Sequence, residues 1–444
     1  VTTAPTSAPV SGTWCCEYEL SDVAPPRSVV PVDPTQNSAR VLVRLHGEPL
    51  GYVVVDLVGG TLDVDQLAAA VRRELRGPAA EHLVAEGLPP LVGSGDLAMP
   101  AATSSCPSRV DGDELVSVVV CTRDRSDILR HCLESLRELT YPHLDVVVVD
   151  NAPTDDRTER VVHEIGAGRF RHVVEPRPGL SCARNRGLAE TRGRWIAFTD
   201  DDVTVDPHWI EGILRGTRRH DDVGLVTGLV ATASVTGAAE AYFDARAASW
   251  SVRTRPELFD RGVHRRDDAL YPYAAGVFGA GANLTVERDL LLALGGFDEA
   301  LGAGTPTRGG EDLDAFVRVV NAGRVIAYEP SAVVWHHHRA DASALRRQMY
   351  AYGTGMAAFV AKFLVDGTTR WDLLRRIPIG LWRMRRIGAT TREGLGSAHT
   401  APRGALALEF AGFVAGPWLY GRSRRGRRDA RRAGYPAVLS GVLR

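Results

Sequence analysis

No apolar stretch in this sequence reaches the ~18 residues of a membrane-crossing helix, so an integral membrane protein is not expected. The N-terminus lacks a charged segment followed by an apolar one, so no secretory leader is expected and the reading is a cytoplasmic protein. Cysteine is scarce and unpatterned. The six residues (Cys15, Cys16, Cys106, Cys121, Cys132, Cys182) show no C-x-x-C spacing and no small-domain framework, which suits a reducing compartment. An excess of charge of either sign is missing too: 53 basic residues against 54 acidic ones give a net charge of -1. The whole molecule is therefore not a polyanion binder, and no nucleic-acid partner is expected.

What is present is unevenly spread. The basic side is nearly all arginine and is concentrated in the last quarter, from Arg370 through Arg386 and from Arg422 to Arg432. At 444 residues, with 44% hydrophobic content, the chain has material for two or three domains with real cores.

The most informative stretch is Gly193 to Val203, G-R-W-I-A-F-T-D-D-D-V. A short apolar run, the length of a buried strand, ends in Asp200, Asp201 and Asp202. In open α/β sheets ligands bind beyond the carboxyl ends of the strands, where these acids would lie. Three adjacent carboxylates repel one another, so solvent, arginines or a hard divalent cation must offset them, and the metal is the favoured reading.

Around that stretch, from Leu115, strands alternate with helices, the pattern of a parallel sheet with covering helices. Strands are expected at Val116 to Cys121, Leu144 to Val149, Phe170 to Val174, Trp195 to Thr199, Val223 to Val230 and Val325 to Trp335. Their ends bring Thr122-Arg123-Asp124, Asp150-Asn151, Glu175 and the acidic triplet to one edge. Residues 231 to 273 read as irregular. A glycine-rich loop, 302 to 310, delivers Glu311, Asp312 and Asp314 to a helix start. One acid would suffice as a cap, so the excess suggests a site. The loop lacks the G-x-x-x-x-G-K-[ST] pattern of a phosphate loop and reads as a mobile gate. His336-His337-His338 closes the last strand, where alternation lets at most two imidazoles converge.

Outside this region, residues 1 to 39 read as irregular and residues 40 to 113 as a small β-β-α module with a linker, without recognisable chemistry. Residues 114 to 345 form the expected catalytic domain, and 346 to 444 a helical, Arg-rich region with Gly and Pro breaks. Two readings of that region stay open: helices packed on the catalytic domain, or peripheral docking on the anionic inner face of a membrane.

Residues 116 to 339 resemble the inverting family 2 glycosyltransferases of the GT-A fold. The resemblance is carried by V-S-V-V-V-C-T-R-D-R at 116 to 125, V-V-V-D-N-A-P-T-D at 147 to 155, P-G-L-S-C-A-R-N-R-G at 178 to 187, the acidic triplet, and G-G-E-D-L-D at 309 to 314. It implies a nucleoside diphosphate sugar donor and a hydroxyl-bearing acceptor. By resemblance, Thr122, Arg123, Asp124, Asp150 and Asn151 would sit at the nucleotide end, and Arg184 and Asn185 along the nucleotide or diphosphate. Asp200, Asp201 and Asp202 would form the D-x-D segment, with Asp200, Asp202 and His336 towards Mg²⁺ or Mn²⁺. Asp312 would be the general base, with Glu311 as the alternative or as a loop-positioning residue. Processive relatives carry spanning helices and Q-x-x-R-W; here Gly367 stands in place of the Gln, so transfer of a single sugar is expected. The rival readings are a non-catalytic nucleotide-sugar-binding scaffold and a sugar nucleotidylyltransferase. The second would need a glycine-rich loop where C-T-R-D-R stands.

Overall fold

The computed structural model describes residues 12–22, 24–89, 99–103, 106, 110, 112–338, 341–395, 404–433 and 438–441. It is a mixed α/β structure with a central sheet flanked by helices. The central sheet runs in the order Glu257–Phe259, Val325–His336, Val223–Thr232, Asn283–Glu287, Trp195–Asp200, Val116–Thr122, Leu144–Asn151, Phe170–Glu175, and Val203–Val205 pairs at the side with Val325–His336. The last four strands of that order are parallel to one another. Every residue of Val116–Thr122 is buried, which is why it reads as an unbroken apolar run. Val118 and Val120 pack under Leu129, Leu133 and Trp209, whereas Val119 and Cys121 pack under Leu188, Phe297 and Phe316.

The N-terminal module is a five-stranded sheet in the order Ser234–Val235, Gly12–Glu19, Gln36–Leu45, Glu48–Val58, Thr61–Leu62, with helices Val64–Glu74 and Arg76–Ala85. Its edge strand Ser234–Val235 directly follows strand Val223–Thr232 of the central sheet, so the two sheets are joined through it. Strand Gly12–Glu19 corrects the expectation that residues 1 to 39 are irregular. Cys15 packs with Leu229, Ala231 and Val333, while the adjacent Cys16 packs with Val41, Val53 and Leu67. Both faces of the strand are covered, so no alternation betrays it. Buried Arg44 pins the module in place, its Nη1 donating to Glu17 at 2.9 Å and to Asp206, four residues past the acidic triplet, at 2.6 Å. Cys15, Cys16, Cys121, Cys132 and Cys182 are free thiols, and all six cysteines are buried.

Two further expectations need revision. Helix Ala238–Ser251 lies inside the stretch expected to be irregular. Ala239, Ala241, Tyr242 and Phe243 are all buried, so its apolar residues surround the axis and no single-face period is left to read. Helix Ala405–Arg432 runs through Pro417, where a break was expected. It is carried by packing against Ala342–Val365, where the backbones approach so closely that a Cβ on Gly353 would collide with the Glu409 carbonyl.

Candidate active site

The register brings the carboxyl ends of the parallel strands level, with Thr122 beside Asp150, Cys121 beside Asp200 and Asn151 beside Glu175. The acidic triplet then turns into Val203–Val205, which pairs with the last strand so that His336 lies opposite Val203. His336 Nε2 is 3.4 Å from Asp202 Oδ1.

The three acids have different surroundings. Asp201 accepts from Thr122 Oγ1 at 2.7 Å and from Arg125 Nη1 at 2.5 Å. Burial nevertheless pushes its carboxyl up to about 7, with Arg125 pulling the other way. Burial also acts to raise Asp202, but His336 and Arg125 outweigh it and hold that carboxyl well below the usual range. Arg125 Nη2 donates to Asp202 Oδ2 at 2.9 Å. Arg125, which bridges two of the acids, is a site residue that the sequence reading quoted within C-T-R-D-R without giving it a role. Basic character two residues beyond Arg123, at the entry to helix Ser126–Arg137, was the available signal.

A second group faces the triplet. Arg184, on helix Leu180–Glu190, is buried and sends Nη2 to Asp200 Oδ1 at 3.3 Å and Nη1 to Glu311 Oε1 at 3.2 Å. The same Nη2 donates to the Gly281 carbonyl at 3.2 Å. Asp312 is held by backbone: Oδ2 accepts the Gly281 N–H at 3.0 Å and Oδ1 its neighbour Leu313 N–H at 2.8 Å. Asp314 turns away to Lys362 and Arg318, at 2.6 and 2.9 Å, and serves the helix packing.

Arg184, Asp200, Glu311, Asp312 and His336 line one cavity of about 1930 Å³. Its far wall is built by the C-terminal helices, with Leu364, Leu373, Ile377 and Phe413. The loop 302 to 310, expected to be mobile, has a firm anchor. Thr354 donates to the Thr307 carbonyl at 2.8 Å, and a Cβ on Gly310 would come within 2.5 Å of the Gly355 carbonyl oxygen. Its glycines permit this close seat on helix Ala342–Val365.

At the other side, Asp150 is buried, 3.3 Å from His172 Nε2 through Oδ2. Its Oδ1 is buried without a hydrogen-bond partner. Asn151 and Asn185 do not present their amides to the cavity. Asn151 donates to the carbonyls of Glu175 and Arg177 and accepts from Gly179 N–H. Asn185 brackets Phe297, donating to its carbonyl at 2.9 Å and accepting its N–H at 2.8 Å. One helical step separates Asn185 from Arg184 and turns it about 100° from the site. Arg123 is exposed, and Asp124, with φ 52°, caps Thr154 through its N–H and hydroxyl. His337 is tied to Thr204 at 2.8 Å, and His338 lies 2.9 Å from His336, Nδ1 to Nδ1.

The glycosyl transferase family 2 model matches residues 117–261. Residues 117–261 are a glycosyl transferase family 2 domain. The curated relatives include the pre-mycofactocin glycosyltransferase of Mycobacterium tuberculosis, 29% identical over 228 residues, covering 50% of this chain and 43% of that protein. Succinoglycan biosynthesis protein ExoO of Rhizobium meliloti is 28% identical over 278 residues, covering 61% and 75%. For several relatives, the M. tuberculosis protein among them, the chain spans less than half of their length. Among solved structures, the mannosyltransferase PcManGT from Pyrobaculum calidifontis, in complex with GDP-Man and Mn²⁺, is 18% identical with a TM-score of 0.42, covering 74% of this chain and 78% of that one. The family 2 domain contains the acidic triplet, Arg125, Asp150 and Arg184, while Glu311, Asp312 and His336 come from the chain beyond it.

Within this site, burial, with Asp312 alongside, pushes the Glu311 carboxyl up to about 7 against the pull of Arg184. A carboxyl raised in the folded state stabilises most while protonated. Its contribution is complete below the unfolded value of about 4.5 and is lost as the pH rises through about 7. Glu311→Gln stays neutral throughout. In EDTA, its stability relative to the native chain therefore climbs between these two values, by up to ~1.4 kcal/mol per pH unit. Paired denaturant unfolding curves across that range check this; a difference independent of pH contradicts it.

Proposed function

We propose that the chain is a metal-dependent, inverting glycosyltransferase that moves one sugar from a nucleoside diphosphate sugar to an acceptor hydroxyl. The observation that carries this reading is Arg184: one buried guanidinium joins Asp200, 3.3 Å away, to Glu311, 3.2 Å away, and so couples the acidic triplet to the Glu311-Asp312 pair.

The donor set suits a hard divalent ion. Asp200 and Asp202 offer carboxylate oxygens, Asp202 is kept ionised, and His336 Nε2 is 3.4 Å from Asp202 Oδ1. Mg²⁺ or Mn²⁺ prefers such oxygens. When bound, the ion acts as a Lewis acid that offsets the charge gained by the departing diphosphate. The chain's own residues do the rest. Asp150, with its unpartnered buried Oδ1, accepts from a ring N–H of the base. Arg123 and Asp124 stand at the mouth of the nucleotide end, and Asn151 holds the turn from Arg177 to Gly179 beside it. Arg125 and Arg184 neutralise the acids until the donor arrives and then face its phosphates. Asp312, oriented by Gly281 N–H, takes the proton from the acceptor hydroxyl as it attacks the anomeric carbon opposite the diphosphate.

The acceptor enters through the cavity, whose helical wall mixes Leu364, Leu373, Ile377 and Phe413 with Arg347, Arg376, Arg383 and Arg424, so an acceptor with an apolar portion fits. This reading is tested by nucleoside diphosphate release from a panel of UDP-, dTDP- and GDP-sugars with Mn²⁺, Mg²⁺ or EDTA. Metal-dependent turnover of one donor supports it, and equal turnover in EDTA overturns it.

The C-terminal helices support a peripheral membrane contact in the same reading. No helix among the described residues is long and apolar enough to cross a membrane. Helix Ala405–Arg432 instead exposes Phe410, Val414 and Trp418, 62%, 66% and 66% accessible, at four-residue spacing. Arg422 continues that stripe, its guanidinium 5.7 Å from the Trp418 ring. An aromatic stripe running into arginines matches an anionic lipid surface. The chain is expected to co-sediment with phosphatidylglycerol vesicles and to release in high salt. Phe410→Ser with Trp418→Ser abolishes the binding, and equal binding to phosphatidylcholine vesicles contradicts the charge argument.

A further inference from the structure

The N-terminal module, in which the sequence shows no chemistry, holds four ligand atoms aimed at one point. His46 Nδ1, His82 Nε2, a Glu86 carboxylate oxygen and Cys106 Sγ all lie within 4.8 Å of one another. They come from three places: the hairpin turn between Gln36–Leu45 and Glu48–Val58, the end of helix Arg76–Ala85, and Cys106, 24 residues beyond His82 in the chain. The irregular spacing is why no local motif reveals them. His82, Glu86 and Cys106 are 6%, 4% and 3% accessible, and the His46 side chain is 1% accessible.

The outer hydrogen bonds decide what faces inward. His46 Nε2 is 2.8 Å from the Pro100 carbonyl, which can only accept, so the ring carries its proton there. His82 Nδ1 is 2.9 Å from Glu48 Oε2, a carboxylate that again accepts. In the neutral rings, His46 Nδ1 and His82 Nε2 then present lone pairs to each other at 3.1 Å. Glu86 Oε2 adds a third electron-rich atom, 2.7 Å from His46 Nδ1 and 3.7 Å from His82 Nε2, and makes no hydrogen bond of its own. Cys106 Sγ completes the set at 3.7 and 3.9 Å from the two ring nitrogens. Four converging lone-pair atoms of this kind suit a cation between them.

We propose that this cluster is a structural zinc site. Tetrahedral zinc with bonds of ~2.0–2.3 Å sets its ligand atoms roughly 3.3–3.8 Å apart; three separations here are 3.7–3.9 Å, and the 3.1 Å between the imidazoles and the 2.7 Å from His46 to Glu86 would widen on binding. A mixed nitrogen, oxygen and sulfur set in a buried pocket suits a borderline ion better than Mg²⁺ or Mn²⁺. The second shell is complete as well. Each imidazole is oriented by a carbonyl or carboxylate on its far nitrogen, the arrangement that fixes metal-binding tautomers. Thr103 N–H holds the other Glu86 oxygen, and Glu19 Oε1 and Oε2 accept the His46 and Gly47 N–H groups at 2.9 and 2.8 Å, fixing the turn. With four protein ligands the site is closed to substrate, so the ion ties the segment carrying Cys106 to the hairpin and helix. It is separate from the acids at Asp200 and Asp202.

The test is metal analysis of the full chain after chromatography without added metal, followed by Co²⁺ exchange of the stripped protein. About one zinc per chain is expected, unchanged in Asp200→Asn and lost in a His82→Ala, Cys106→Ala double variant. The cobalt form should show the visible bands of a tetrahedral site and a near-ultraviolet thiolate charge-transfer band that disappears in Cys106→Ser. The spectrum of the native chain carries the proposal even where a variant does not fold. Absence of zinc together with failure to take up Co²⁺ overturns it, leaving a proton-bridged histidine pair. A cobalt spectrum without the thiolate band, or zinc lost in Asp200→Asn, overturns it equally.

Discussion

Asp312→Asn is expected to lower kcat by about 10²–10⁴-fold with little change in the KM for the donor. The amide preserves the size of the side chain, and its one oxygen can still accept the Gly281 N–H that orients it. What it cannot do is take a proton. The loss therefore falls on the chemical step, and the acidic limb of the pH–rate profile should disappear with it. Glu311 is a poorer candidate for that role because it is buried and its carboxylate is engaged by the Arg184 guanidinium, whereas Asp312 is half-buried in the same cavity wall and held only by backbone N–H groups. Full kinetics on Asp312→Asn and Glu311→Gln separate the two. If the Asp312 variant keeps more than about a tenth of its kcat while Glu311→Gln loses activity with its pH limb, the roles are reversed.

Asp202→Asn is expected to cost about 10²–10³-fold in turnover and to raise the concentration of Mn²⁺ or Mg²⁺ needed for half-maximal rate. The physical reason lies in the present partners of Asp202. Arg125 at 2.9 Å and His336 at 3.4 Å already hold this carboxyl ionised, so it is ready to take a cation without a proton first being removed. The amide is neutral and a weaker ligand for a hard ion. Arg125 retains Asp201 in the variant, so the half-buried guanidinium is not left alone and the fold should survive; a thermal melt checks this alongside the kinetics. Turnover unaffected by the substitution, at saturating and at limiting metal alike, contradicts the role assigned to Asp202.

Much of this site was legible because the sheet makes it so. Parallel strands buried on both faces appear as short apolar runs, and the polar residues that end them must then share an edge. That logic puts Thr122, Asp150 and Asp200 on one edge, where the strand register has them. It could not separate neighbours on a helix: Arg184 faces the acids and Asn185 faces Phe297, a distinction set by the direction of one helical turn. Arg125 was missed because a basic residue opening a helix carries no apolar period, and its meaning comes only from carboxylates 76 and 77 residues away. Strand Gly12–Glu19 and helix Ala238–Ser251 escaped for a common reason. Each is covered on more than one side, which erases the one-sided pattern on which periodicity depends. The cluster around His82 lies further still from local reading, since its members converge through tertiary structure alone.

The proposed binding of a nucleoside diphosphate to the carboxylate edge through a divalent cation is tested by calorimetric titration with UDP, dTDP and GDP, without knowledge of sugar or acceptor. One nucleotide should bind in Mn²⁺ or Mg²⁺, lose its affinity in EDTA, and bind weakly to Asp202→Asn. Binding that is equally tight in EDTA contradicts the role of the metal, and no binding of any nucleotide contradicts the reading of the site as a whole.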